Sequence, residues 1–222
     1  MQRAIPPDLT HASSLTEGTQ QHEAIGDVHL AADDFSGAAD SFAAALRGFG
    51  PDAPRERCRL LLRLAATQVL RAEFDAAVRC LREARQLARL LNDPRVLAAI
   101  AAGFANALTE LGQYRRGRRY GLFAYRVLRD TDDHRTVGQV GVQLGICCSR
   151  LGRMPEAIEW LQNAAATFRR IDDTEGLVDA LNNLGIVHKN LRDWREATRF
   201  LEQALRLDER AGLYARMRAH NQ

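Results

Sequence analysis

Lysine is almost missing from this sequence: of its 31 basic residues, all but Lys189 are arginine. Such one-sided usage reflects coding bias, so a formal net charge of +3 does not by itself point to nucleic acid. Proline is scarce at six residues and aromatics reach only 6%. With few helix breakers and few strand formers beside abundant Ala, Leu, Arg and Glu, the composition predicts helices and no sheet. Long apolar runs are missing too; stretches such as Val96 to Ala102 fall far short of the ~20 residues that cross a bilayer. The opening "MQRAIPPDLT" has no apolar core of a signal peptide, and a cytoplasmic protein is expected.

Cysteine offers no chemistry by spacing. Cys58, Cys80, Cys147 and Cys148 form no C-x-x-C pair, and each sits inside a helical apolar pattern that a small buried hydrophobe would satisfy. His22 and His29 are seven apart and share a helix face, but no third ligand lies nearby, so no metal and no cofactor are expected. There is no G-x-S-x-G, no P-loop and no H-E-x-x-H. The acidic pairs Asp33-Asp34, Asp132-Asp133 and Asp172-Asp173 fall in links between helices, where they read as turn and cap residues. No catalytic residue is assigned and no enzyme is expected.

Charge is uneven along the chain. Residues 1–50 carry two basic and seven acidic side chains, residues 51–150 carry eighteen and ten, and the remainder balances at eleven of each.

What is present is a repeat. The segment "ALNNLGIVHKNLRDWREATRFLEQAL" has apolar residues at helical spacing, a break at Arg192-Asp193, and helical spacing again. Its pair Leu184-Gly185 returns as Leu144-Gly145, Phe104-Ala105, Leu64-Ala65 and Ile25-Gly26, at intervals of 40, 40, 40 and 39. A small residue opens each second helix, at Ala38, Ala77, Gly117, Ala157 and Ala197. Three positions before it stands a large apolar side chain, at Phe35, Phe74, Tyr114, Met154 and Trp194. Seven positions after it comes Ala45, Ala84, Ala124, Ala164 or Ala204. Small residues let two helix backbones approach at their crossing, and the larger one wedges beside the turn. Two short amphipathic helices cannot bury their faces alone, so stacked hairpins follow.

These columns resemble the tetratricopeptide repeat, with Leu-Gly in a first helix, an aromatic at the turn and alanines in a second. The 40-residue period exceeds the 34-residue norm, and links such as "RLLNDPRV", "LRDTDDHRTVG" and "RRIDDTEGL" replace the usual closing proline. In these features the chain is similar to the repeat regions of bacterial signalling and transcription regulators and of kinesin light chains. The resemblance implies an all-α fold, a right-handed α-α solenoid of five hairpins with a partial C-terminal helix. The reading places a disordered segment at 1–14, an array over 15–211 and a cap or truncated sixth repeat at 212–222. Ser14 and Glu17 are expected to cap the first helix. The repeats are expected near 19–57, 58–97, 98–137, 138–177 and 178–211. Repeat three, with Gly117 and Gly121 in its second helix, is expected to pack worst.

The resemblance further implies a concave groove lined by first helices, where the family binds peptides or protein segments. Carried onto this sequence, its positions are Arg59 and Arg63, then Asn106 with Thr109 and Glu110, then Gln143 and Arg150, then Asn182, Asn183 and Lys189, with Glu23 and Asp27 in the first repeat. A side-chain amide that donates and accepts suits the backbone of an extended peptide. The expected activity is protein or peptide binding, as the sensory or docking part of a larger bacterial regulator. Two alternatives stay open. "YRRGRRYGLFAYR" places Arg115, Arg116, Arg118 and Arg119 on one helix, and with Arg79 they suggest a basic convex patch for nucleic acid or an acidic partner. Self-association through the terminal repeat is the other.

Overall fold

The computed structural model describes the backbone of residues 7–211 and the side chains of residues 18–209. Ten helices and no strand occur among the described residues. They pair in sequence: α1 (Pro7–Ala31) with α2 (Phe35–Gly48), and α3 (Pro54–Leu70) with α4 (Phe74–Leu91). Then follow α5 (Pro94–Glu110) and α6 (Tyr114–Leu128), α7 (His134–Arg150) and α8 (Met154–Arg170), and α9 (Thr174–Asn190) and α10 (Trp194–Ala211). The chain divides into two compact units, one ending at Val96 and the other beginning at Leu97.

Sequence explains the helix starts. Pro54 and Pro94 open α3 and α5, where a missing N–H costs nothing. Asp133 and Asp173 accept from Thr136 N–H and Gly176 N–H at 3.2 and 3.0 Å, so the acidic links do cap the helices that follow. These starts put each first helix from α3 onward four residues ahead of the repeat bounds read from the columns. The first helix also departs from expectation. Instead of opening at a Ser14 cap after a disordered 1–14, α1 begins at Pro7 and carries Ser14 in its interior; proline at a first helical position is preset for the helix angle. Residues 1–6 and the expected cap or sixth repeat at 212–222 lie outside the described residues.

All five hairpin turns share one backbone. Asp33, Ala72, Gly112, Gly152 and Arg192 take φ of 58°, 58°, 71°, 78° and 61°. In each, the next N–H reaches back to a helix carbonyl, as Glu73 N–H does to Gln68 O at 2.8 Å and Gln113 N–H to Leu108 O at 2.8 Å. This is the Schellman ending, whose left-handed residue is best a glycine. Ala72→Gly is therefore expected to stabilise the first unit by about 0.5–1 kcal/mol. Gly112→Ala, where a Cβ meets nothing nearer than Tyr114 Oη at 3.9 Å, is expected to cost about 1 kcal/mol through the backbone alone. Urea denaturation of both variants checks the pair; a loss on Ala72→Gly contradicts the assignment.

The columns are the core. Ala38, Ala45, Ala77, Ala84, Ala124 and Ala157 are fully buried, and Leu144 and Leu184 are nearly so. In the first unit Phe42 packs with Ala38, Ala39, Ala45, Leu60 and Leu64, and its ring lies where a Cβ on Gly26 would sit. In the second unit Phe168 fills the space between α7 and α9, with its ring against both Gly138 and Gly176. Repeat three corrects the expectation of poor packing. A Cβ on Gly117 would meet Thr109 Oγ1 at 3.0 Å and Cys147 Sγ at 3.1 Å, and one on Gly121 would meet Leu144 Cδ2 at 2.9 Å. The glycines are not gaps, because α7 side chains have moved into the room they leave.

The cysteines behave as small hydrophobes. Cys58, Cys147 and Cys148 are buried, all four are unpaired, and burial pushes each thiol up from its ordinary value. No helix among the described residues is long and apolar enough to cross a membrane, and no cluster of metal-ligand type appears among them.

Candidate functional site

In the second unit the first helices α7 and α9 pack directly on each other, which puts their outward residues on one continuous face. The 40-residue register then sets the side chains side by side. Asn183 and Gln143 each precede the Leu-Gly pair and Ile186 and Ile146 each follow it, while Lys189 and Arg150, one step out of register, lie in the last turn of each helix. Asn182 and Asn183 are half-buried, Lys189 and Arg150 are exposed, and Ile186 is 41% exposed. Asn183 Nδ2 donates to the Asp179 carbonyl one turn back at 2.8 Å. That bond uses one amide hydrogen and leaves its Oδ1 and second hydrogen free to bond elsewhere. Gln143 Oε1 is buried with no hydrogen-bond partner among the described residues. An orphan acceptor of this kind costs stability in the isolated chain unless something donates to it.

Asp179 adds a charge that the sequence reading left out. Its carboxylate is exposed by area, yet its pKa is pushed up to about 6 by the surrounding protein and by Glu175 and Asp173. Access to water together with strong desolvation is what a recessed position produces. The signal was present in the register: Asp179 stands five before Leu184, as Arg59 stands five before Leu64. From Asp179 to Lys189 is ten residues of helix, roughly 15 Å. Acid thus gathers toward the start of α9 and base at its end.

Not every expected position joins this face. Asn106 is half-buried and Glu110 exposed on α5, but Thr109 is buried. Its hydroxyl donates to Ala105 O at 2.7 Å and touches Cys147 Sγ at 3.1 Å, so it holds α5 to α7. In the first unit Arg59 and Arg63 are already engaged. Arg59 makes a two-pronged pair with Glu23, with Nη2 to Oε2 at 2.7 Å. Arg63 bonds Glu23 at 2.9 Å, pairs with Asp27, and lies over the Phe42 ring at 4.5 Å. The Arg59 hydrogen bond is the main cause that holds the Glu23 carboxyl below its ordinary value. A ligand carboxylate reaches these arginines only by displacing Glu23 and Asp27, which sit one repeat earlier on the same face.

The expected basic residues fall in both units. Arg79 is exposed on α4 of the first, while Arg115, Arg116 and Arg119 are exposed on α6 of the second. Arg118 is half-buried and bonds Glu156 at 3.0 Å, and Arg116 bonds Gln113.

Residues 136–210 match the family model of the tetratricopeptide repeat, and the five hairpins have the all-α fold of such helix pairs. No curated protein matches the sequence. Among solved structures, BtubC (BKLC) from P. vanneervenii has a TM-score of 0.68 at 17% identity, over 95% of this chain and 93% of that one. A Rap protein complexed with competence and sporulation factor gives 0.76 at 15% identity, over 86% of this chain and 54% of that one. The signal transduction ATPase with a tetratricopeptide repeat sensor from Pyrococcus horikoshii gives 0.71 at 15%, over 92% and 32%. At these identities the likeness is one of fold.

Proposed function

We propose that this protein is an interaction scaffold that binds an extended peptide or protein segment along the α7/α9 face, as the docking or sensory part of a larger bacterial regulator. The observation that carries the reading is the paired register of Gln143 and Asn183 beside Ile146 and Ile186. Amides bond a peptide backbone whatever its sequence, and the isoleucines between them offer apolar contact to alternate side chains. The span from Asp179 to Lys189 accommodates about five extended residues at ~3.3 Å each. Its polarity favours a basic group beside Asp179 and an acidic or carboxyl end beside Lys189 and Arg150. The Rap structure, with its bound competence and sporulation factor, supports a sensory role by analogy of fold alone.

The test is selection from a displayed library of random peptides, followed by titration of the winners. The parent chain is expected to bind them at least tenfold tighter than the Asn182→Ala/Asn183→Ala variant, with equal helicity by circular dichroism. Asp179 sets the pH dependence. Its carboxyl ionises near pH 6, so peptides with a basic end are expected to bind tighter at pH 7.5 than at pH 5, and Asp179→Asn is expected to flatten that difference. Equal affinity for parent and double variant would sink the proposal.

A further inference from the structure

Helix α6 departs from every other second helix in its charge. "YRRGRRYGLFAYRVL" holds five arginines and no acidic residue, whereas α2, α4, α8 and α10 all include acids. The contrast is sharpest in the first turn. Glu156 of α8 and Glu196 of α10 occupy the third helical position, where a carboxylate complements the positive end of the helix dipole. In α6 that position is Arg116, preceded by Arg115. Both oppose the dipole and repel Arg118 and Arg119 one turn on. Arg118 is held by Glu156 and Arg116 by Gln113, and the fold makes no such use of Arg115 and Arg119.

The outward stripe of α6 runs Arg115, Arg119, Leu122, Phe123 and Arg126, at the spacing of one helix face, over roughly 16 Å. Together with Arg118 these residues line a shallow depression. Arg115, Arg119 and Arg126 are exposed and form no ion pair among the described residues, and Phe123 at their centre is 43% exposed. Several arginines elsewhere in this unit are matched, Arg153 with Glu156, Arg199 with Glu196, Arg206 with Glu202, and Arg135 with Asp173 and Glu175, while Arg150, Arg169, Arg192 and Arg195 stand unpaired among the described residues on three different helices or their ends. What sets α6 apart is that three unmatched arginines share one face of a helix that has no acidic residue of its own.

From this we infer that the outer face of α6 is a second docking surface, and that its occupant is an acidic segment of a partner protein in which an apolar side chain is flanked by carboxylates. The apolar side chain covers Phe123 and Leu122, and the carboxylates take two-pronged bonds from Arg115 and Arg119 on one side and Arg126 on the other. An aromatic anchor rimmed by arginine is the composition of an interface centre. A nucleic-acid strand fits less well, because a phosphate backbone needs a basic track and this one ends with the helix. The inference is independent of the α7/α9 face.

The experiment uses fluorescence anisotropy with three labelled probes: a peptide with one phenylalanine flanked by glutamate pairs, the same peptide with serine for phenylalanine, and single-stranded oligo-dT. The full chain is expected to bind the first probe at least tenfold tighter than either other. Phe123→Ser and Arg119→Glu/Arg126→Glu are each expected to lose tenfold or more, and Asn183→Ala to lose nothing, with circular dichroism unchanged in all three. Phe123→Ser removes an exposed side chain, so it keeps the fold if the charge variant does not. The inference is overturned if the first probe fails to bind, if it binds Phe123→Ser as well as the parent, or if oligo-dT binds tighter than the peptide.

Discussion

Phe168→Ala is expected to cost the second unit about 3–5 kcal/mol of stability. The ring is 1% exposed and lies on Gly138 of α7 and Gly176 of α9 at once. Removing it opens a cavity between two hairpins that touch there through that ring, and neither glycine has a side chain to fill the void. A double-mutant cycle isolates the contact. A Cβ on Gly176 would lie 2.4 Å from the ring, so Gly176→Ala alone is expected to cost about 1–3 kcal/mol by overpacking. In the Phe168→Ala background the same change has room, and a coupling of at least about 1 kcal/mol is expected. Urea denaturation followed by circular dichroism measures both; strict additivity would show that the ring does not wedge the hairpins apart.

The second large effect belongs to the first unit and depends on pH. Glu23 is only 14% exposed and answers two arginines, so Glu23→Gln leaves the exposed Arg59 without its counter-charge and Arg63 with Asp27 alone, and is expected to cost about 1–2 kcal/mol at pH 7. Asp27→Asn, whose side chain is 52% exposed, is expected to cost under about 1 kcal/mol. The Glu23 carboxyl is held below its ordinary 4.5 in the folded chain. Its contribution is therefore complete above about pH 4.5 and is lost as the pH falls through the lowered folded value. Denaturation at pH 7 and again at pH 3 separates the cases: parent and Glu23→Gln should differ at the first and converge toward the second. A difference that persists unchanged in acid would assign the effect to shape instead of charge.

Much of this architecture was legible as spacing. Ala45, Ala84, Ala124 and Ala164 recur because a helix crossing tolerates nothing larger, and a steric demand of that kind leaves the same residue at each copy. Trp194 shows the limit. It stands in the column of Phe35 and Met154 yet is 63% exposed, since a column fixes a position in the hairpin and not what packs over it. The glycines of repeat three were misread for a related reason. Gly117 and Gly121 look like lost packing until the partners of the next repeat are seen in their place. Among the residues of the proposed face, register alone picks out Asn183 and Gln143. It does not pick out Asp179, because its perturbation arises from protein mass and two neighbouring acids that no single position reveals. The engagement of Arg59 and Arg63 could have been read from the acids 36 and 40 residues earlier, since one repeat is also the step between stacked neighbours.

The buried thiols have a practical consequence. Cys58 donates to the Ala84 carbonyl in the first unit, and Cys147 and Cys148 lie sealed in α7 of the second, all with protonation favoured by burial. A thiolate must form before an alkylating reagent can react, and here that requires a helix to come away from its partner. Labelling rates under native conditions therefore time the opening of each unit separately, and mass spectrometry of the labelled peptides turns the chain into a reporter on its own breathing without any added probe.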